Sequence, residues 1–233
     1  MPPAALATVA TLWRYPVKSM LGEECSQVEL TARGVRGDRQ LAIRSADGKF
    51  GSGKNSRRFR HIEGLFTFRA HLGDGSPEIV FPDGRRLRAD DPAIDRSLSE
   101  ALGMPVTLAR EGDVSHFDSS PIHLVGTSSL AWLRGKLPES RVDERRFRPN
   151  ITVATDQSEL SWIGKTLQIG STVKLRVTAP TGRCGMTTAA QTDLPFDPKI
   201  LRCIAQEAGE DFGVYAEVLQ PGTISRGDEV SVV

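Results

Sequence analysis

The sequence predicts an α+β fold built mostly of antiparallel strands. Three observations point there. Short runs rich in Val, Ile, Leu and Phe recur along the chain, punctuated by Gly, Pro and Asp-Gly pairs. Helix patterns are few and short. The regular alternation of strand and helix that builds a parallel sheet is not visible.

The elements follow in order. Val9–Tyr15 reads as a first strand, because Thr8 and Thr11 break the apolar run and no basic leader precedes it. Gln27–Leu30, Leu41–Arg44, Phe66–Leu72 and Glu78–Phe81 read as further strands, with Asp47-Gly48 and Asp83-Gly84 as hairpin signals. A helix is expected over Pro92–Leu102. Asp91 caps it, Ile94, Leu98 and Leu102 share a face, and Gly103 ends it. Val106–Arg110 reads as a strand. A second part is expected from Glu111-Gly112-Asp113 onward, dividing the chain into 1–110 and 111–233. There Ser128–Leu137 reads as a short helix and Ile151–Ala154, Leu167–Ile169 and Val173–Val177 as strands. Pro198–Ala208 is a second capped helix, with Asp197 at its start and a stripe of Ile200, Leu201, Ile204, Ala205 and Ala208. Tyr215–Leu219 and Val230–Val233 close the chain.

Composition excludes several classes. Hydrophobic residues make up 39% and charged residues 25%, an ordinary globular balance rather than a disordered one. Net charge is +1, so no global field attracts nucleic acid or an anionic membrane, and any anion site must be a local cluster. Aromatic residues are 6%, too sparse for rows of base-stacking side chains. Three cysteines, an odd and low count, argue for a reducing compartment, and no transmembrane run is present. The expected address is the cytoplasm.

Cys184 lies in Thr181-Gly182-Arg183-Cys184-Gly185-Met186-Thr187-Thr188. A lone cysteine is more often a small buried hydrophobe than a ligand. Here two glycines leave the backbone open and Arg183 favours the thiolate, so ligand, nucleophile and buried thiol all stay open. Cys25 and Cys203 read as structural. Arg141 to Asn150 carries four arginines. Arg145 and Arg146 read as a solvated face, whereas Arg148 precedes Pro149, which predicts an extended backbone and a fixed direction. Asn150 offers a donor and an acceptor. Its glycosylation sequon is discounted without a secretory signal. Lys18 and Ser19 follow the first strand, and Arg36 and Arg39 sit in a glycine turn. A thiolate beside arginine forks suits a metal-bearing phosphorylated cofactor.

Gly48-Lys49-Phe50-Gly51-Ser52-Gly53-Lys54-Asn55 resembles a phosphate loop, but Asn55 replaces the magnesium-binding hydroxyl and no helix follows. It reads as a mobile basic loop. The histidines at 61, 71, 116 and 123 lack zinc-ligand spacing and read as packing or surface residues.

Taken together, Tyr15-Pro16-Val17-Lys18-Ser19, Gly37-Asp38-Arg39, Phe147-Arg148-Pro149-Asn150, Arg183-Cys184, Thr187-Thr188 and Pro221-Gly222-Thr223-Ile224 with Gly227-Asp228 resemble the MOSC family, named after the C-terminal domain of molybdenum cofactor sulfurase. The resemblance covers nearly the whole chain. It implies an N-terminal β-barrel-like region, 1–110, and a β-rich MOSC domain, 111–233, with a few short helices. It implies molybdenum on a pterin dithiolene, with Cys184 as metal ligand and catalytic residue. Lys18, Ser19, Arg39, Arg148, Asn150 and Arg183 would hold the pterin and its phosphate, and Ser119 and Ser120 match a hydroxyl pair that touches the cofactor in such relatives. The implied reaction is reductive removal of oxygen from amidoximes or hydroxylamines, as in amidoxime-reducing enzymes.

This chain departs from those relatives. Neither a membrane anchor nor a ferredoxin-like extension is expected, so electrons are expected from a separate ferredoxin, flavoprotein or cytochrome. The aminotransferase-like half of the sulfurase has no counterpart, so pyridoxal phosphate is not expected. After Thr188 comes Ala189 rather than an acidic residue, which suggests a separate bacterial branch. Two other functions fit the same residues: a sulfur carrier or cofactor-handling protein with a Cys184 persulfide, and a plain binding module for another phosphorylated ligand.

Overall fold

The computed structural model describes residues 7–73 and 75–233. The start of the leader reading, residues 1–6, lies outside them. The N-terminal part contains β1 (Ala7–Arg14), β2 (Glu23–Cys25), β3 (Gln27–Thr31), β4 (Gly34–Val35), β5 (Leu41–Ser45), β6 (Phe50–Ser52) and β7 (Phe59–His61). It continues with β8 (Arg69–Leu72), β9 (Pro77–Val80), β10 (Arg86–Arg88), α1 (Ile94–Leu102) and β11 (Val106–Arg110). Then come β12 (Ile122–Gly126), α2 (Thr127–Lys136), β13 (Ile151–Ala154), β14 (Thr166–Ile169) and β15 (Val173–Gly182). The chain closes with α3 (Pro198–Glu207), β16 (Asp211–Gln220), β17 (Gly222–Ser225) and β18 (Glu229–Val232). The fold is α+β and predominantly antiparallel, as the turn punctuation predicts.

The largest sheet runs β13-β12-β16-β15-β14-β18-β1-β2, and β1 also pairs with β13. Seven strands therefore close into a barrel, with β2 hanging from β1. Closure leaves no free edge among those seven strands. Strand β1 is long enough to serve three neighbours: Ala7 and Thr8 pair with β18, Thr8 to Leu12 with β13, and Leu12 to Arg14 with β2. Its Val9 and Leu12 join Leu124, Ile151, Leu167, Leu175, Val214 and Val230 in the core cluster of this sheet. A second core, around Met20, Ile43, Phe68, Ile79 and Leu98, underlies β5, β8, β9 and α1. A third packs α2 on α3 through Leu130, Leu133, Ile200 and Ile204.

Four differences from the sequence reading matter for the site. First, β12 and β13 pair in parallel with α2 between them, one βαβ unit in an otherwise antiparallel barrel. All five residues of β12 are buried, so the strand shows no apolar–polar alternation to read. Second, β15 runs past Val177 to Gly182, and β16 begins at Asp211, well before Tyr215. Register shifts between Val177 and Ala179 and between Pro180 and Gly182 let the pair continue past Pro180, which looks like a strand end in sequence. That extension delivers Arg183 and Cys184 to the end of the barrel. Third, the basic loop is not free: Phe50–Ser52 pairs in parallel with Phe59–His61, and Phe50 N–H donates to Arg58 O at 3.0 Å. Fourth, α3 buries Cys203 with Ile200 and Ile204, while Ala205 faces out. Asp197 caps that helix as expected, accepting from Lys199 N. Asp91 acts one step earlier than expected, accepting from Ala93 N in a turn before α1. None of the helices among the described residues is long and apolar enough to cross a membrane.

Candidate functional site

Six chain segments meet at one end of the barrel, beside Tyr215 of β16. They are the turn after β1, the turn before β5, the β6–β7 loop, the approach to β12, the approach to β13 and the loop after β15. They wall a cleft of about 770 Å³, counted out to its mouth. Six cations line it, Lys18, Arg39, Lys54, Arg146, Arg148 and Arg183, with Asp118 as the carboxylate among them. Cys184 lines it too, half-buried and free.

Backbone strain is concentrated here. The non-glycine residues with positive φ among the described residues are Ser19 (64°), Arg39 (49°), Arg148 (56°) and Glu210 (72°). Three line the cleft, and the fourth accepts the Arg183 N–H on its carbonyl at 2.8 Å. Each left-handed residue costs roughly 1–2 kcal/mol, so the surrounding fold holds them there. Arg148 is thus not extended, as its position before Pro149 predicts. It follows the short helical turn Glu144–Arg146, donates its N–H to Arg145 O at 3.2 Å, and reverses the chain through a left-handed backbone.

The charges are arranged around Tyr15. The Arg148 guanidinium stacks 4.2 Å from the Tyr15 ring centroid, and the Arg39 guanidinium lies 4.9 Å from the same centroid. Arg39 pairs with Asp38, which is fully buried. Arg148 Nη1 donates to Met20 O, while its Nη2 is buried with no partner among the described residues. Burial pushes the Arg148 pKa down to about 10. Lys18 is 3% exposed. It donates to His116 O at 2.8 Å and Asp118 Oδ1 at 3.1 Å, and burial lowers its pKa to about 8. Ser19 is buried beside it and donates to Gly51 O at 3.1 Å.

Arg183 and Asn150 turn out to be framework as much as lining. Arg183 donates from Nε to Phe212 O at 2.7 Å and from Nη1 to Phe147 O at 3.1 Å, and its Nη2 reaches Phe212 O and His123 Nε2. It bolts the Cys184 loop to the start of β16, and burial takes its pKa to about 10. Asn150 is 1% exposed. Its Oδ1 accepts from His123 N at 3.3 Å and Arg39 Nη1 at 3.5 Å, and its Nδ2 donates to Trp13 O at 3.4 Å. Arg146 is not solvated either. It is 1% exposed and donates to Arg141 O at 2.9 Å, Ala189 O at 3.2 Å and Pro195 O at 2.8 Å, which pins the chain just after the Cys184 loop. Arg145 lies outside the cleft wall, part-buried and paired with Asp143 and Asp193.

Ser120 lines the cleft and donates to Ala216 O at 3.0 Å. Ser119 is exposed and is not brought into the wall. Several lining residues escape the sequence reading. His123, read as packing or surface, is buried in β12 and accepts from Arg183 through Nε2. Burial, then the Arg183 charge, hold it well below the usual imidazole range, so it is neutral. A histidine inside the apolar run Ile122–Gly126 is the signal that could have found it. Gly213 makes room for it: at φ 83°, a Cβ there would meet His123 Nε2 at 2.6 Å and Leu124 O at 2.7 Å. Asp118, Lys54, Tyr215 and Met186 carry no comparable sequence mark.

Among the described residues, no group of three or more His, Cys, Asp or Glu side chains could hold a metal. A metal at Cys184 would have to bring its own further ligands. A soft thiol, a buried guanidinium nitrogen without a partner and an excess of buried positive charge fit a metal carried by an anionic organic group.

Comparison with known proteins agrees with this arrangement. The family model for the MOSC domain matches residues 110–231, and that for the MOSC N-terminal beta barrel domain matches residues 6–91. Mitochondrial amidoxime-reducing component 1 of Homo sapiens is 28% identical over 282 residues, covering 97% of this chain and 82% of the relative. Its Mus musculus counterpart is 26% identical with the same coverage. The YUAD protein from Bacillus subtilis shares the fold at a TM-score of 0.57 and 16% identity, covering 97% of this chain and 94% of that one. With more than half its length matched by the first of these models and most of the rest by the second, the chain belongs to the MOSC domain family.

Proposed function

We propose that the protein binds a molybdenum cofactor and uses it to reduce N-hydroxylated compounds such as amidoximes and hydroxylamines. One observation carries the reading: a half-buried free thiol and six cations share a single cleft with only two carboxylates, Asp118 in its wall and Asp38 buried behind Arg39. Buried cations that lack anionic partners are costly, and an anionic ligand offsets that cost. The names of the two mammalian relatives support the substrate class. When bound, the cofactor supplies a redox metal able to accept oxygen from nitrogen.

The chain's own residues have separable roles in this reading. Cys184 offers the soft ligand. Arg148 and Lys18 present N–H donors to the phosphate, and Arg39 adds charge while orienting Asn150. Arg183 and Arg146 hold the Cys184 loop rather than the ligand. Segment 1–110 thus contributes Lys18, Ser19, Arg39 and Lys54, and segment 111–233 contributes Asp118, Asn150, Arg146, Arg148, Arg183 and Cys184. Electrons come from a separate redox protein, and the setting is cytoplasmic.

Metal analysis after expression in a host that makes the cofactor tests the reading. Wild type should carry near-stoichiometric molybdenum and show a molybdenum(V) paramagnetic signal, and Cys184→Ser should lose both. Metal-free wild type beside a loaded control molybdoenzyme would refute it. A reducible extra sulfur on Cys184 in that metal-free protein would assign sulfur transfer instead.

A further inference from the structure

A second cavity opens beside the first, and the two share Ser19 and Met186 in their walls. It encloses about 1160 Å³ out to its mouth. Its chemistry is opposite. No Lys or Arg is found among its described lining residues, and Glu63 is its carboxylate. Ile62, Phe66, Ala190 and Phe196 give it apolar walls. Phe196 is 65% exposed. A lone exposed aromatic is ordinary, but one on the rim of an apolar cavity next to a reactive cleft is a contact surface.

Met186 is the partition. Its Sδ lies 3.6 Å from Ser52 Oγ. Gly53 passes under it so closely that a Cβ there would come 2.6 Å from Met186 Cγ. The paired β6–β7 segment therefore clamps the thioether from one side. Cys184, two residues earlier in the chain, lines the first cavity. A molecule held at Cys184 can extend into the second cavity by passing along Met186, whose unbranched side chain adapts to shape.

We infer that this second cavity takes the non-reacting part of the substrate, a flat apolar or aromatic group that is neutral or cationic, and that Met186 sets how large it can be. The identity of the reacting end rests on the reductase reading above. The preference of the cavity rests on its own walls.

Fluorine NMR on the full chain as purified tests this, with 4-fluorobenzamidine as an aromatic cation and 2-fluoroacetamidine as a small one. The aromatic probe should bind saturably and show contacts to the Met186 methyl and the Phe196 ring. Phe196→Ser removes one exposed wall without touching a core, and should weaken the aromatic probe roughly tenfold while leaving the small one unchanged. Met186→Ala should shift preference toward a 2-naphthyl amidine. Absence of saturable binding to wild type, or equal affinity for 4-fluorobenzamidine in wild type and Phe196→Ser, would overturn the inference. On molybdenum-loaded protein, failure to reduce both benzamidoxime and acetamidoxime would sink the reductase reading and leave the probe result standing. Reduction of both at equal kcat/KM would sink the cavity assignment and leave the reductase standing.

Discussion

Replacing Arg148 by Ala should barely change the empty protein and clearly weaken the loaded one. In the empty protein the guanidinium is an unbalanced buried charge. Its Nη2 has no partner among the described residues, and burial holds its pKa at about 10. Below that pH both the folded and unfolded chains carry the proton, so the penalty is present in full at neutral pH. Set against the ordinary guanidinium value, the shift corresponds to about 3 kcal/mol at most. Against it stand the stacking on Tyr15 at 4.2 Å, of order 1–2 kcal/mol, and a hydrogen bond to Met20 O, about 1 kcal/mol. These nearly cancel, so cofactor-free Arg148→Ala should melt within a few degrees of wild type. The loaded protein should instead lose a charge-assisted contact of about 1.5–3 kcal/mol, a fall in cofactor affinity of roughly ten- to a hundredfold. Thermal unfolding of both forms, with cofactor retention through gel filtration, reads the two effects. Arg60→Ala is the control, because Arg60 pairs with Asp47 at 3.5 Å on the exposed surface. Equal retention by the two variants, or a cofactor-free Arg148→Ala destabilised by more than about 3 kcal/mol, would refute the phosphate assignment and make Arg148 a structural residue.

Lys18 gives a pH test. Its folded pKa is lowered from 10.5 to about 8, so its charge is lost near pH 8 in the folded chain and later in the unfolded one. Stability should therefore rise as pH climbs from about 8 to 10.5, while affinity for inorganic phosphate falls over the same window. Lys18→Met should flatten both curves, and a phosphate affinity constant from pH 7 to 9.5 in wild type would contradict the role. Gly213→Ala should destabilise by about 2–4 kcal/mol, since the added Cβ meets His123 and Leu124 at positive φ. Gly209→Ala has φ 61° but no atom within 4 Å, and should cost only about 1 kcal/mol. Urea unfolding compares the pair. Arg146→Met should lose about 3 kcal/mol by leaving the Ala189 and Pro195 carbonyls unpaired, with the loss visible in the empty protein.

Local chemistry was legible from the chain alone where a residue's neighbours in sequence are also its neighbours in space. Asp197 before Pro198 announced the α3 cap, and the Gly and Asp-Gly turns announced an antiparallel fold, whereas Cys184 stayed open between ligand, nucleophile and buried thiol. Long-range pairing was not legible. The burial of β12 depends on β13, β16 and α2 together, so a five-residue run gave no periodic signal. The extension of β15 past Pro180 depends on bulges matched by β16, and it sets where Cys184 stands. Arginines show most clearly why. Arg145, Arg146 and Arg148 lie within four positions, yet one pairs with Asp143 and Asp193, one ties backbone carbonyls and one stacks on Tyr15 in the cleft wall. A guanidinium's role is fixed by which carbonyls, rings and carboxylates the fold brings to it, and those come from residues far away in the chain.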